Sequence, residues 1–147
     1  MERGLQDICA VEGVGGAFVC DNAGDVVASS SPAVLATDTM SHIGRVTAQI
    51  FAAMEAANRR VDRLEFTYDS WRLSARDLGP AALLVVGHPH VDTAWMRMAI
   101  DVVISEWRKA NTIEKKAGKR QVARHHMLKR EQLDEAGWHS LRLAMGA

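Results

Sequence analysis

Only two cysteines, Cys9 and Cys20, occur in 147 residues, and no CxxC spacing joins them. A disulfide framework is thereby excluded as the basis of the fold, and both thiols are expected to be free and buried in a reducing cytoplasm. No apolar run approaches the ~20 residues that cross a bilayer, and no charged-then-apolar leader opens the chain. We therefore expect a cytoplasmic protein with no membrane partner. Net charge is absent too, because 18 Lys+Arg balance 18 Asp+Glu. The balance is uneven along the chain: residues 1–110 hold 10 basic against 14 acidic side chains, and residues 111–147 hold 8 against 4. An acidic body does not suit a polyanion, so no nucleic-acid partner is expected. The same asymmetry divides the chain into a folded body, 1–110, and a basic tail, 111–147.

What is present reads as short strands and amphipathic helices. Leu5, Ile8 and Cys9 recur at helical spacing and predict a short helix over Leu5 to Glu12. Gly13 to Ser29 then reads as two apolar strands joined by a polar turn, Asp21-Asn22-Ala23-Gly24-Asp25. Asp21 and Asn22 can bond backbone two residues on, and Gly24 can take positive φ. Apolar residues fall at both parities in these strands, which predicts a central hairpin covered on both faces. Thr37 or Asp38 is expected to cap a helix running to about Asn58, with Ile43, Val46, Ile50, Phe51, Met54 and Ala57 as its apolar stripe.

Leu64, Phe66 and Tyr68 alternate with Arg63, Glu65 and Thr67, and Trp71, Leu73 and Ala75 alternate with Arg72, Ser74 and Arg76. A two-residue Asp69-Ser70 loop would pair Tyr68 with Trp71, Phe66 with Leu73 and Leu64 with Ala75, so that all apolar side chains share one face. Ala81 to Val86, bounded by Pro80 and Gly87, is too short for a helix and predicts a central strand buried on both faces. Asp92 is placed to cap a last helix, Thr93 to Ala110, whose expected core stripe is Trp95, Met96, Ala99, Val102, Val103 and Trp107. Three helices and five antiparallel strands in this order predict an α/β (α+β) fold, a three-layer α/β/α sandwich.

Chemistry-bearing motifs are scarce. Gly13-Val14-Gly15-Gly16 precedes a strand instead of opening a helix, so it lacks the context of a phosphate loop. His88-Pro89-His90 offers two imidazoles without a third ligand at suitable spacing. Cys20 lies beside Asp21, an anion that raises a thiol pKa, and no serine sits in a G-x-S-x-G elbow. These readings predict no enzyme, no catalytic residue, no cofactor and no metal.

The segments Val14-Gly15-Gly16-Ala17-Phe18-Val19, Asp21, Gly24-Asp25-Val26-Val27-Ala28 and Leu83-Leu84-Val85-Val86, in this order with their helices, resemble the roadblock domain family. That family is related to longin domains and includes dynein light chains and bacterial partners of Ras-like GTPases. The resemblance covers roughly Leu5 to Ala110. It implies a non-catalytic homodimeric adaptor that binds and regulates a small GTPase. A motor-associated light chain is the alternative within the family, and a small-molecule sensor on a similar fold is the alternative outside it. It also implies a dimer interface on the helix after the first hairpin and the adjacent edge strand, here Ile43, Val46, Ile50, Phe51, Met54, Leu64, Phe66 and Tyr68.

Arg59, Arg60 and Arg63 cluster between that helix and strand and are candidate partner contacts, although two of them also suit a helix C-terminus. In the tail, Leu133, Trp138 and Leu141 are candidate docking residues. Gly118 and Gly137 each cost a helix about 1 kcal/mol relative to Ala, which predicts broken helical pieces.

Overall fold

The computed structural model describes residues 1–30 and 35–117. Along the chain run α1 (Glu2–Cys9), β1 (Val14–Asp21), β2 (Val26–Ser30), α2 (Thr37–Ala56), β3 (Arg63–Thr67), β4 (Arg72–Asp77), β5 (Ala81–Gly87), α3 (Thr93–Lys109) and α4 (Thr112–Ala117). The strands form one antiparallel sheet in the order β2-β1-β5-β4-β3.

Alternation along the central strands builds two cores. Ala17 and Val19 of β1 and Leu83 and Val85 of β5 point to one face, where Leu5 and Ile8 of α1 and Met96, Ile100, Val103 and Trp107 of α3 cover them. Phe18, Cys20, Ala82 and Leu84 point to the other face, joined by Leu73 and Ala75 of β4 and covered by Met40 and Phe51 of α2. Each central strand is thus apolar at both parities because each has a helical layer on both sides. The expected three-layer sandwich is what forms.

The position of the first hairpin is corrected. It was expected at the centre along with the strand Ala81 to Val86; β5 does lie there with β1 as its neighbour, but β2 is an edge strand. The run Ala81 to Val85 is buried throughout, whereas β2 fully buries only Ala28. Continuous burial marks the two neighbouring interior strands, β1 and β5, and sets them apart from the edge strand β2.

Helix ends follow local chemistry, with further corrections. α1 spans Glu2–Cys9, shifted toward the N-terminus from the expected Leu5 to Glu12, because Gly4 brings its first turn against Val103 and Trp107 of α3. α2 starts after Ala36 with no side-chain cap, and Thr37 and Asp38 are already helical. Asp38 nevertheless places a carboxylate in the first turn, where it complements the helix dipole. At the other end Asn58 takes φ 57°, its N–H donates to the Glu55 carbonyl, and the Arg59 N–H donates to the Met54 carbonyl at 2.8 Å. This paired arrangement is a Schellman stop, with Asn supplying the left-handed residue. For α3 the expected cap is present: the Trp95 N–H donates to Asp92 Oδ1 at 3.1 Å.

Candidate functional site

The edge strand β3 pairs with β4 in the register that alternation predicts, Phe66 opposite Leu73 and Leu64 opposite Ala75. Beyond Thr67 the Tyr68 N–H donates to the Trp71 carbonyl at 2.9 Å, and the two rings stack at 4.3 Å. At the other end the Asp77 N–H donates to the Asp62 carbonyl at 2.9 Å. Residues 62 and 68 thus both bond inward to β4. The two-residue alternation then turns the Leu64 and Phe66 amides inward and those of Glu65 and Thr67 outward. Among the described residues no strand meets that outer edge.

Beside it lies an incompletely covered apolar patch. Val46 and Met54 of α2 and Leu64 and Phe66 of β3 are all half-buried around Ile50 and Ala53. The interface residues named from the sequence therefore separate into groups. Val46, Met54, Leu64 and Phe66 come together in this patch, and Ile43 lies half-buried at the margin of the α2-side core. Ile50 and Phe51 are buried inside the single chain, Phe51 against the sheet. Tyr68 is exposed at the hairpin tip.

Arg59 and Arg60 are exposed in the connection from α2 to β3, and Arg63 opens β3. Neither Arg59 nor Arg60 lies in the last turn of α2, so the helix end takes the Arg59 backbone N–H where side-chain charge was expected. Arg60 lines an open polar concavity with Asp62, Arg76, Asp101, Arg108 and Lys109. Leu133, Trp138 and Leu141 lie outside the described residues.

At the opposite end of α2 the packing is tight and chemically quiet. A Cβ at Gly44 would stand 2.5 Å from Cys20 Sγ, so the helix descends onto β1 only because position 44 is glycine. The Cys20 thiol donates to the Met40 carbonyl at 3.7 Å. Burial first, then the Asp21 and Asp25 carboxylates, push its pKa up to about 12, which keeps it a thiol and a poor nucleophile. Asp21 organises the turn, accepting from the Ala23 and Asp25 N–H groups at 2.9 and 3.1 Å. Gly24 takes φ 91° there, as the turn chemistry predicts. His88 and His90 stand exposed after β5 with ring centroids 5.5 Å apart. Among the described residues no three His, Cys, Asp or Glu side chains group as metal ligands.

No protein-family profile matches the chain, and no curated protein matches its sequence. Solved structures do match in shape. A Roadblock/LC7 domain from Streptomyces avermitilis superposes with a TM-score of 0.65 at 16% identity, over 76% of this chain and 98% of that one. Myxococcus xanthus MglB gives 0.65 at 16% identity, over 76% and 94%. The gliding protein MglB of Thermus thermophilus gives 0.59 at 18% identity, over 69% and 81%. The fold is of the roadblock type.

On this roadblock-type frame the two helical faces differ. The α3 face carries polar ties to the sheet edge: Arg97 donates from Nε and Nη2 to both Glu65 oxygens at 2.8 and 2.6 Å, and Arg76 donates to Asp101 at 2.6 Å. The Arg97 hydrogen bonds hold the Glu65 carboxyl below its ordinary range. The expected core stripe of α3 is corrected here. Its buried line is Met96, Ile100, Val103, Ile104 and Trp107, whereas Trp95 and Val102 are exposed and Ala99 is half-buried. Met98, absent from the expected stripe, is exposed as well. A signal was available: apolar residues wrap most of the circumference of α3, so one sheet-facing side could not hide them all.

Proposed function

We propose that the chain acts as a non-catalytic homodimeric adaptor that binds and regulates a small Ras-like GTPase. The observation that carries this reading is the β3 edge, unpaired among the described residues, beside the half-buried patch of Val46, Met54, Leu64 and Phe66. An edge strand with free amides and apolar neighbours is an association surface unless something covers it. A second copy would satisfy both demands at once, joining β3 to β3 across a two-fold axis and packing one α2 on its twin. The roadblock-type fold and its likeness to MglB support the reading, and the family resemblance supplies the GTPase as partner.

On this reading Arg59, Arg60 and Arg63 give the partner a cationic contact at the end of the interface, binding charge without entering the chemistry. Thr67→Pro is the discriminating variant, because it removes an outward amide and leaves the inward ladder to β4 untouched. Its mass in solution should fall to that of one chain. Capture of a purified small Ras-like GTPase, loaded with GDP or with a non-hydrolysable GTP analogue, tests the partner. Capture in one nucleotide state that disappears with Arg59→Ala/Arg60→Ala supports the reading. Failure to capture the GTPase in either state would remove it.

A further inference from the structure

Four large apolar side chains are exposed among the described residues, and three of them share one line on α3: Trp95 at 61%, Met98 at 59% and Val102 at 53%. The spacing i, i+3, i+7 sets them on one side of the helix, a strip about 10 Å long. The strip is not part of the proposed dimer surface, since α3 and α2 lie on opposite faces of the sheet. Next to it the carboxylates of Asp92 and Glu106 flank the line, and Asp7 of α1 shares a groove with Trp95. Arg97, the cation on this part of α3, is already tied to Glu65.

The tail carries a complementary pattern. Trp138-x-x-Leu141-x-x-x-Met145 repeats the aromatic-first i, i+3, i+7 spacing of Trp95-x-x-Met98-x-x-x-Val102. Residues 118–147 hold six Lys+Arg against three Asp+Glu, a net +3, facing a body whose first 110 residues carry −4. The geometry of α4 also favours this chain as its own occupant. Ile113 of α4 is buried in the core beneath α3, so α4, Thr112–Ala117, lies on the same side of the sheet as α3. From Lys109 back to Trp95 the helix spans about 21 Å, and twenty residues reach about 30 Å even when fully helical.

We propose that the segment around residues 138–145 folds back on its own chain and covers the outer face of α3, setting Trp138, Leu141 and Met145 against Trp95, Met98 and Val102. The roadblock-type body then carries a built-in cover on the face away from its dimer surface. This does not depend on the GTPase reading.

The test is methionine-methyl NMR on the full-length chain, with the Met98 signal identified from Met98→Leu. The expected result is a nuclear Overhauser contact between the Met98 methyl and the Trp138 indole, together with a ring-current shift of that methyl. Both should vanish in Trp138→Ala, while the signal of buried Met96 stays in place and certifies an intact body. A Met98 methyl with no indole contact and no response to Trp138→Ala would overturn the proposal, whatever else binds α3. A third arm mixes methyl-labelled Trp138→Ala chains with unlabelled wild-type chains. Recovery of the Met98 shift there would show that a second copy supplies the cover, which also overturns the assignment to the same chain. Absence of recovery supports it.

Discussion

The two faces of the sheet are closed by different means. On the α2 face the helix is pressed onto the sheet at one end, where Gly44 meets Cys20, and runs out over a half-buried patch at the other, where Val46 and Met54 meet Leu64 and Phe66. On the opposite face α1 and α3 together bury a larger cluster, and the last contacts toward the β3 edge are ion pairs instead of apolar packing. One face is therefore unfinished beneath its helix, and the other is finished beneath α3 but apolar on the outside of it. An unfinished inner surface calls for a second sheet edge, whereas an apolar outer strip calls for a segment laid across it.

The largest expected effect tests whether both faces belong to one cooperative core. Leu83 and Leu84 are fully buried neighbours on β5 that point to opposite faces. Leu83→Ala and Leu84→Ala should each lower unfolding free energy by about 2–5 kcal/mol, measured by denaturant titration. A large loss from only one of them would show that the other face contributes little to stability.

Gly44→Ala comes next. The added methyl would sit 2.5 Å from Cys20 Sγ and 2.6 Å from its Cβ, so α2 must lift from β1. Overpacking of this kind costs about 1–3 kcal/mol, against which the alanine returns up to about 1 kcal/mol of helix propensity. Thermal melts should show a clear net loss. Cys20→Ala in the same chain should recover part of it, since it removes the sulfur atom the methyl meets.

Cys20 also sharpens the contrast by its chemistry. With its pKa pushed from 9.0 to about 12, it should stay unreactive toward a disulfide reagent at pH 8 until the protein unfolds. The raised value means that the buried neutral thiol favours the folded state below pH 9.0, and that this contribution is lost as pH climbs toward about 12. Rapid labelling of both thiols in the native protein would contradict the tight end of α2.

The smallest effect belongs to the ion pairs. Glu65 and Arg97 are about one-third exposed, so Glu65→Gln should cost no more than about 1 kcal/mol. Because the Glu65 pKa is lowered from 4.5, its contribution is present above that value and disappears as pH falls through the lower folded value. The difference in stability between wild type and Glu65→Gln should therefore close in acid.

Much of this arrangement was legible beforehand where the chemistry is local. The β3–β4 register followed from alternation through Leu64, Phe66 and Tyr68, and the α3 start followed from Asp92 as a cap. The central place of β5 was legible in the uninterrupted apolar run Ala81 to Val86, whereas the edge position of β2 was not, because its residues are apolar at both parities without being buried at both. Nor was the rotation of α3. Its stripe was assigned to Trp95, Met96, Ala99, Val102, Val103 and Trp107; Met96, Val103 and Trp107 are buried, the latter two against Gly4 of α1, whereas Trp95 and Val102 are exposed. For the candidate site, alternation set Leu64 and Phe66 on one face of β3 and the family resemblance named them as interface, while the burial of Ile50 and Phe51 within one chain required the fold.

The central claim is that the unfinished α2–β3 side is completed by a second copy. Sedimentation equilibrium of the full-length chain at micromolar concentration tests it most directly, with wild type and Thr67→Pro run side by side. The account predicts twice the chain mass for wild type and a shift toward one chain mass for Thr67→Pro, with unchanged far-ultraviolet circular dichroism. A wild-type chain that sediments as a single copy throughout that range would contradict it.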